Sequence, residues 1–242
     1  MERLDWKKHV DNWPIGRVNF NMDPATTGLV IVDMQRYGCE APSDKAGLNS
    51  SIQAKRPEMA HAWFNSLEQT VVPNISRLLN FFRARGRPVV YFTLGVELPD
   101  GSDASPVLAQ RGAFTGKDGR VTRLKGTPEH EVIAALKPRQ GEIVLNKTTM
   151  SGFASTGCDQ VFRHLGLQYL VFAGVGTDAC VFRTASDAAD RGYFCVMAED
   201  ACTAQHPIVH DAALMLFAIN SGMVSSTASI LSGLNNAHAI AR

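Results

Sequence analysis

Leu170-Val171-Phe172-Ala173-Gly174-Val175-Gly176-Thr177-Asp178-Ala179-Cys180-Val181 decides how this chain folds. An apolar, strand-like run stops at two glycines, and a cysteine follows where a helix should begin. A helix N-terminus gathers unpaired N–H groups and the positive end of the macrodipole, so a thiol there is expected to ionise and serve as a nucleophile. The same letters also spell Gly174-x-Gly176-x-x-Ala179, a tolerated form of the dinucleotide-binding fingerprint. Taken alone, the segment supports both readings.

Working outward, five further apolar runs read as strands: Leu29–Val32, Val89–Thr93, Ile143–Leu145, Phe194–Ala198 and the weaker Gly222–Val224. With Tyr169–Ala173 they make six, and most are continuously apolar, as expected of strands buried on both faces of a parallel sheet. Helical patterns fall between them. Ile75, Leu78, Leu79 and Phe82 recur at helical spacing before Gly86. Thr127-Pro128 followed by Val132, Ile133 and Leu136 predicts a capped helix. Val161, Phe162 and Leu165 end at Gly166, and the stretch from about Ala179 ends at Arg191-Gly192. Alternating strands and helices predict an α/β fold: a three-layer, doubly wound, Rossmann-like sandwich around a six-stranded, mainly parallel sheet. Residues 1–26, with Trp6, Trp13 and Pro14, read as an N-terminal arm wrapping the domain or a neighbouring subunit. Residues 27–242 read as a single domain, in which 95–126 form a long loop without periodicity.

Composition narrows the function classes. The chain has 242 residues and a formal net charge of +1, which gives no electrostatic reason to expect nucleic acid or an anionic membrane as partner. No apolar run approaches the roughly 20 residues of a membrane span, and the N-terminus is too polar for a signal peptide. The five cysteines, Cys39, Cys158, Cys180, Cys195 and Cys202, include no CxxC pair, so neither a disulfide framework nor a zinc ribbon is expected, and a reducing cytoplasm is.

Ligands of open parallel sheets bind beyond the carboxyl ends of the strands. The first strand ends in Asp33, the third in Lys147, and the fourth runs into Cys180. Separately, each has a plain structural explanation: a loop acid, a solvated amine, a small buried hydrophobe. Together they place an acid, an amine and a thiol on one rim. A thiolate attacks a carbonyl carbon, a carboxylate moves the proton, and an ammonium holds the charges in place.

These residues carry a specific resemblance. Val30-Ile31-Val32-Asp33-Met34-Gln35, then Lys147 with Ser151-Gly152-Phe153, then Gly174 to Val181 occur in the order found in the isochorismatase-like cysteine hydrolases. The chain resembles that superfamily from about residue 27 to 233, most closely its ureidoacrylate, biuret and N-carbamoylsarcosine amidohydrolases. The resemblance implies a catalytic triad of Asp33, Lys147 and Cys180. It also implies a cis peptide between Val175 and Gly176, and an oxyanion hole formed by the N–H groups of Gly176 and Cys180. A small amide or ureido substrate and a homodimer or homotetramer are implied as well. The metal-binding nicotinamidases carry an Asp-x-His motif with a further histidine after the second strand. Here that place reads Tyr91-Phe92-Thr93-Leu94-Gly95-Val96-Glu97, so no metal and no cofactor are expected.

Candidate substrate contacts are Gln35, Arg36 and Tyr37, which follow Asp33, together with Phe153 and Phe182. Arg36 could pair with a substrate carboxylate or be a surface charge. Phe153 could stack on a planar urea-like group or begin a helix core face, and Phe182 could shape the cavity or a subunit contact. His206 and His210 read as metal ligands or as capping and solvent-facing residues. Cys39 reads as a thiol near the site or an inert one, and Cys158, Cys195 and Cys202 as core. The dinucleotide reading keeps Glu199 and Asp200 as possible ribose partners, but its fingerprint follows the fourth strand and leaves Asp33 and Lys147 unexplained. A non-catalytic member of the same fold is the third reading.

Overall fold

The computed structural model describes the backbone of residues 3–40, 55–116 and 119–240. Its centre is a six-stranded parallel sheet of β1 (Thr27–Val32), β2 (Val89–Leu94), β3 (Ile143–Lys147), β4 (Tyr169–Val175), β5 (Phe194–Thr203) and β6 (Met223–Ser225). The spatial order is β3-β2-β1-β4-β5-β6. The chain therefore winds outward from β1 to one edge, returns to the middle at β4, and winds outward to the other. That reversal opens a crevice beyond the carboxyl ends of β1 and β4, where doubly wound sheets hold their ligands.

The strands are apolar throughout because helices cover both faces. Val30 and Val32, with Val90 and Phe92, face the helices Cys158–His164, Phe182–Asp190 and Pro207–Asn220 through Phe162, Ala185 and Phe217. Leu29 and Ile31, with Val89 and Tyr91, meet Ile75, Leu78, Leu79 and Phe82 of the Val72–Ala84 helix and Ile230 and Leu234 of the Thr227–Ile240 helix. Successive residues thus enter opposite layers, and every one of them is buried. The N-terminal arm contributes a helix, Trp6–Asp11, whose Trp6 and Val10 join the first of these layers. Arg3 Nε donates to the buried Asp211 at 2.8 Å, tying the arm to the Pro207–Asn220 helix of its own chain.

The helix expected over 127–136 is absent. Two short 3₁₀ turns, Pro128–His130 and Ala134–Leu136, stand there with extended backbone between them. The loop after β1 takes over the hydrogen bonding: Arg36 N donates to Glu131 O at 2.9 Å, Ile133 N donates to Met34 O at 2.9 Å, and Gln35 bridges to Val132. Those interstrand bonds replace the helical ones, so tertiary pairing overrides a good local helix signal.

Gly174 shows how tightly β1 and β4 approach. It lies inside β4, opposite Val32 and Cys202, with a φ of +125°, and a β-carbon there would sit 2.1 Å from Val32 O. It is therefore not part of a phosphate-cradling turn, which removes the first glycine of the dinucleotide fingerprint. Gly174→Ala is expected to destabilise the fold by about 3 kcal/mol or more, read as a lower urea midpoint.

Candidate active site

The first acidic residue reaches the crevice through an unusual backbone. After Val32 the chain turns through Asp33 at a φ of +54°, a left-handed conformation that aspartate tolerates better than most side chains. Asp33 N donates to Phe92 O at 2.9 Å, and Gln35 N donates to Asp33 O at 2.8 Å. The Gln35 carboxamide donates to Leu94 O at 3.2 Å and His130 O at 2.8 Å, and accepts from Leu94 N at 2.8 Å. Both its donor hydrogens are thereby used, and the turn carrying Asp33 is latched to the end of β2.

Lys147 ends β3 and is completely buried. Its Nζ donates to Asp33 Oδ2 at 2.9 Å and to Thr149 O at 3.3 Å. Burial works against the ammonium, but the fields of Asp33 and Cys180 and their hydrogen bonds outweigh it, so its pKa lies above the ordinary lysine value. The second carboxylate oxygen differs: Asp33 Oδ1 is buried and accepts no hydrogen bond. A carboxylate with one oxygen clamped and the other uncommitted is oriented as a proton acceptor.

Cys180 arrives from the far side of the crevice. The Val175–Gly176 peptide is cis, and the following helix opens on a widened turn in which Val181 N reaches back to Gly176 O at 3.2 Å. Thr184 Oγ1 donates to Cys180 O at 2.6 Å, fixing that turn from the next one, and Thr177 Oγ1 is hydrogen-bonded to His210 Nδ1 at 2.8 Å. The sequence led us to expect an ionised thiol, and the structure reverses this. Burial first, then the Asp33 carboxylate, push the Cys180 pKa up to about 12, with Lys147 only partly countering them. The helix N-terminus is outweighed because the thiol is buried beside a fixed anion. The resting site is a neutral thiol next to an Asp33–Lys147 ion pair.

Asp33 and Cys180 line one cavity of about 360 Å³, which also takes in Tyr37, Trp63, Arg123 and Gly176. Lys147 stands behind Asp33, outside the lining. The cavity suits a small molecule. Of the expected substrate contacts, Gln35 and Tyr37 line it, although the Gln35 amide is spent on backbone. The other three do not. Arg36 points to solvent and pairs with Glu40 at 2.9 Å, because the short helix Arg36–Cys39 turns it outward. Phe153 packs edge-on to Phe162 and beneath Arg191, so its core role takes the ring. Phe182 packs against Phe217 and belongs to a neighbouring depression.

The remaining sequence candidates are spread out. His206 lines the cavity, and its Nδ1 accepts from Ile208 N at 3.3 Å as the cap of the Pro207–Asn220 helix. His210 is buried and kept neutral, its pKa lowered to about 4 by burial. Cys39 Sγ lies 3.8 Å from Asp33 O beneath the turn, and Cys158, Cys195 and Cys202 are buried in the core. Glu199 is engaged by Lys7, and Asp200 accepts from Thr227 N and Oγ1, so neither acid is free for a ribose. Met59 and Trp63 from the Pro57–Ser66 helix, and Leu108 and Arg123 from the loop between β2 and β3, are cavity residues the sequence did not single out.

Comparison with known proteins agrees with this geometry. Residues 27–229 match the isochorismatase domain. The ureidoacrylate amidohydrolase RutB of Caulobacter segnis is 32% identical over 219 residues, covering 86% of this chain and 85% of that protein. A cysteine hydrolase from Pseudomonas syringae pv. phaseolicola superposes with a TM-score of 0.76 at 25% identity, over 93% of this chain and 100% of that one. An N-carbamoylsarcosine amidase from Thermoplasma acidophilum superposes with a TM-score of 0.61 at 26% identity, over 85% of this chain and 97% of that one. The buried acid and amine, the thiol across the crevice and the match over most of the chain lead to one conclusion: this chain belongs to the isochorismatase family of hydrolases.

Proposed function

We propose that the chain is a cysteine-dependent amidohydrolase that cleaves a linear C–N bond of a small amide, ureido or carbamoyl compound. The carrying observation is the Asp33 carboxylate, with Oδ2 held by Lys147 and Oδ1 left uncommitted in the cavity wall it shares with Cys180. Relatives named as ureidoacrylate amidohydrolase and N-carbamoylsarcosine amidase support the bond type.

In the first step Asp33 Oδ1 takes the thiol proton while Cys180 Sγ bonds to the substrate carbonyl carbon. The negative charge that develops on the carbonyl oxygen is received by the N–H groups of Gly176 and Cys180. Collapse of that intermediate breaks the C–N bond, and the proton held by Asp33 leaves with the ammonia or amine, giving a thioester on Cys180. Water then loses a proton to Asp33 and attacks the thioester. The acid or carbamate departs, and Cys180 regains its proton. Because the thiol rests protonated, a thiolate forms only as the carbonyl arrives, and Lys147 holds Asp33 oriented between turnovers.

Ammonia release across ureido acids, biuret, carbamoyl amino acids and simple amides tests the reaction. Turnover of at least one class, with an acyl adduct on the Cys180 peptide after acid quench, is the expected result. Turnover without any adduct would rule out the thioester route.

A further inference from the structure

The loop between β2 and β3 carries a buried cation at the cavity wall. Arg123 is 8% exposed, and its guanidinium lies 4.5 Å from the Tyr37 ring centroid and 4.8 Å from that of Phe114. Aromatic faces stabilise such a cation without consuming its N–H donors. Among the described residues no carboxylate lies within ion-pair distance of Arg123, and its buried Nε donates to nothing. The adjacent acid is turned elsewhere: Glu129 Oε1 accepts from the Arg123 backbone N–H at 2.8 Å. The contrast with Arg83, whose Nε meets Glu142 at 2.7 Å, shows how this protein satisfies an arginine that serves structure.

The backbone is built to present this side chain. Arg123 has a φ of +57°, a left-handed conformation that a bulky residue keeps only when its surroundings enforce it. Val96 N donates to Arg123 O at 3.2 Å, and Lys125 N donates to Val96 O at 2.8 Å, so the loop is laced to the chain leaving β2. A β-carbon on Gly95 would lie 2.4 Å from Arg123 O, which only glycine avoids. Burial disfavours the guanidinium charge, while Tyr37, Asp33, Cys180 and Glu129 favour it. An arginine remains charged under such opposition, and a buried charge without a partner is costly. Its missing partner belongs in the cavity.

We propose that Arg123 is the anion-recognition residue of this cavity, and that the substrate is a short-chain acid whose carboxylate meets the guanidinium while its amide or ureido carbonyl reaches Cys180. The proposal rests on the amidohydrolase reading for the bond that is cleaved. One buried guanidinium matches one carboxylate, whose two oxygens fit its planar fork. This assigns to Arg123 the role that the sequence offered to Arg36.

Ureidoacetate, 3-ureidopropanoate and 4-ureidobutanoate, each compared with the neutral urea in which isopropyl replaces the carboxylate, test the assignment. The best acid is expected to exceed its neutral counterpart in kcat/KM by about 10- to 100-fold in the wild type. In Arg123→Met that ratio falls to near unity, and Arg123→Lys retains part of it. Equal wild-type rates on acid and neutral urea overturn the proposal without any variant. So does an unchanged ratio in folded Arg123→Met, which would leave the residue a purely structural part. Calorimetric titration of Cys180→Ala protein with the same compounds separates binding from chemistry. Carboxylate-dependent binding that disappears in Cys180→Ala/Arg123→Met supports the anion site even where no urea is turned over. In that case only the reaction assignment fails.

Discussion

Cys180→Ala is expected to lower turnover by about 10⁴-fold or more while the protein stays folded. In the proposed mechanism the thiol supplies the atom that bonds to carbon, and no other described cysteine lines the cavity to replace it. Removing a nucleophile abolishes the covalent route outright; only residual catalysis by binding and the N–H groups survives. The structural cost is small by comparison. Cys180 is buried among apolar neighbours, and loss of one sulfur is expected to cost about 1 kcal/mol, seen as a modest fall in Tm. Ammonia release and thermal unfolding measured on one preparation distinguish the two effects. Alanine protein with full activity removes Cys180 from the mechanism. Cys180→Ser is expected to behave similarly, since a buried hydroxyl is harder still to deprotonate.

Asp33→Asn separates proton transfer from mere proximity, because it moves two observables in opposite directions. Turnover is expected to fall by about 10³- to 10⁴-fold, as the amide cannot accept the thiol proton. Alkylation of Cys180 by iodoacetamide is expected to accelerate. In the wild type, burial and the Asp33 anion raise the thiol pKa to about 12 and Lys147 lowers it. Removing the anion deletes a raising influence and keeps the lowering one, so the thiolate fraction below that pKa grows about tenfold per unit of decrease. Peptide mapping after alkylation reads this at Cys180 specifically, against an unchanged rate at the same pH for Cys158, whose thiol answers to burial, Asp159 and Arg191 rather than to Asp33. Leaving Lys147 buried without its partner also lowers Tm, so the comparison is made well below the transition. If turnover and alkylation fall together, Asp33 holds the site in shape rather than carrying the proton.

The placement of the candidate site was largely legible in the sequence. Asp33, Lys147 and Cys180 each follow an apolar run, and in a parallel sheet all carboxyl ends share one rim; the strand pattern was enough to place them together. The same reasoning failed where a contact depends on side-chain direction. Arg36 stands only three residues beyond Asp33, yet one turn of the Arg36–Cys39 helix carries it to solvent. Phe153 follows the lysine motif, but the aromatic cluster of Phe162 and Tyr193 captures its ring. The segment at 127–136 has a helix signal that pairing with the loop after β1 overrides.

The sequence by itself determined the layer order, the six strands and the three residues on their rim, because periodicity and strand ends are local properties of the chain. The protonation of the thiol, the single uncommitted oxygen of Asp33 and the cation at Arg123 were decided only by the tertiary structure. Each depends on what burial removes and what a distant segment supplies. The Asp33 charge acts on Cys180 from 147 residues away in the chain, and Tyr37 meets Arg123 from the distant Arg36–Cys39 helix while Phe114 meets it from within the same loop. A helix N-terminus suggests an ionised thiol when read locally; the folded crevice keeps it neutral because its strongest neighbour is an anion.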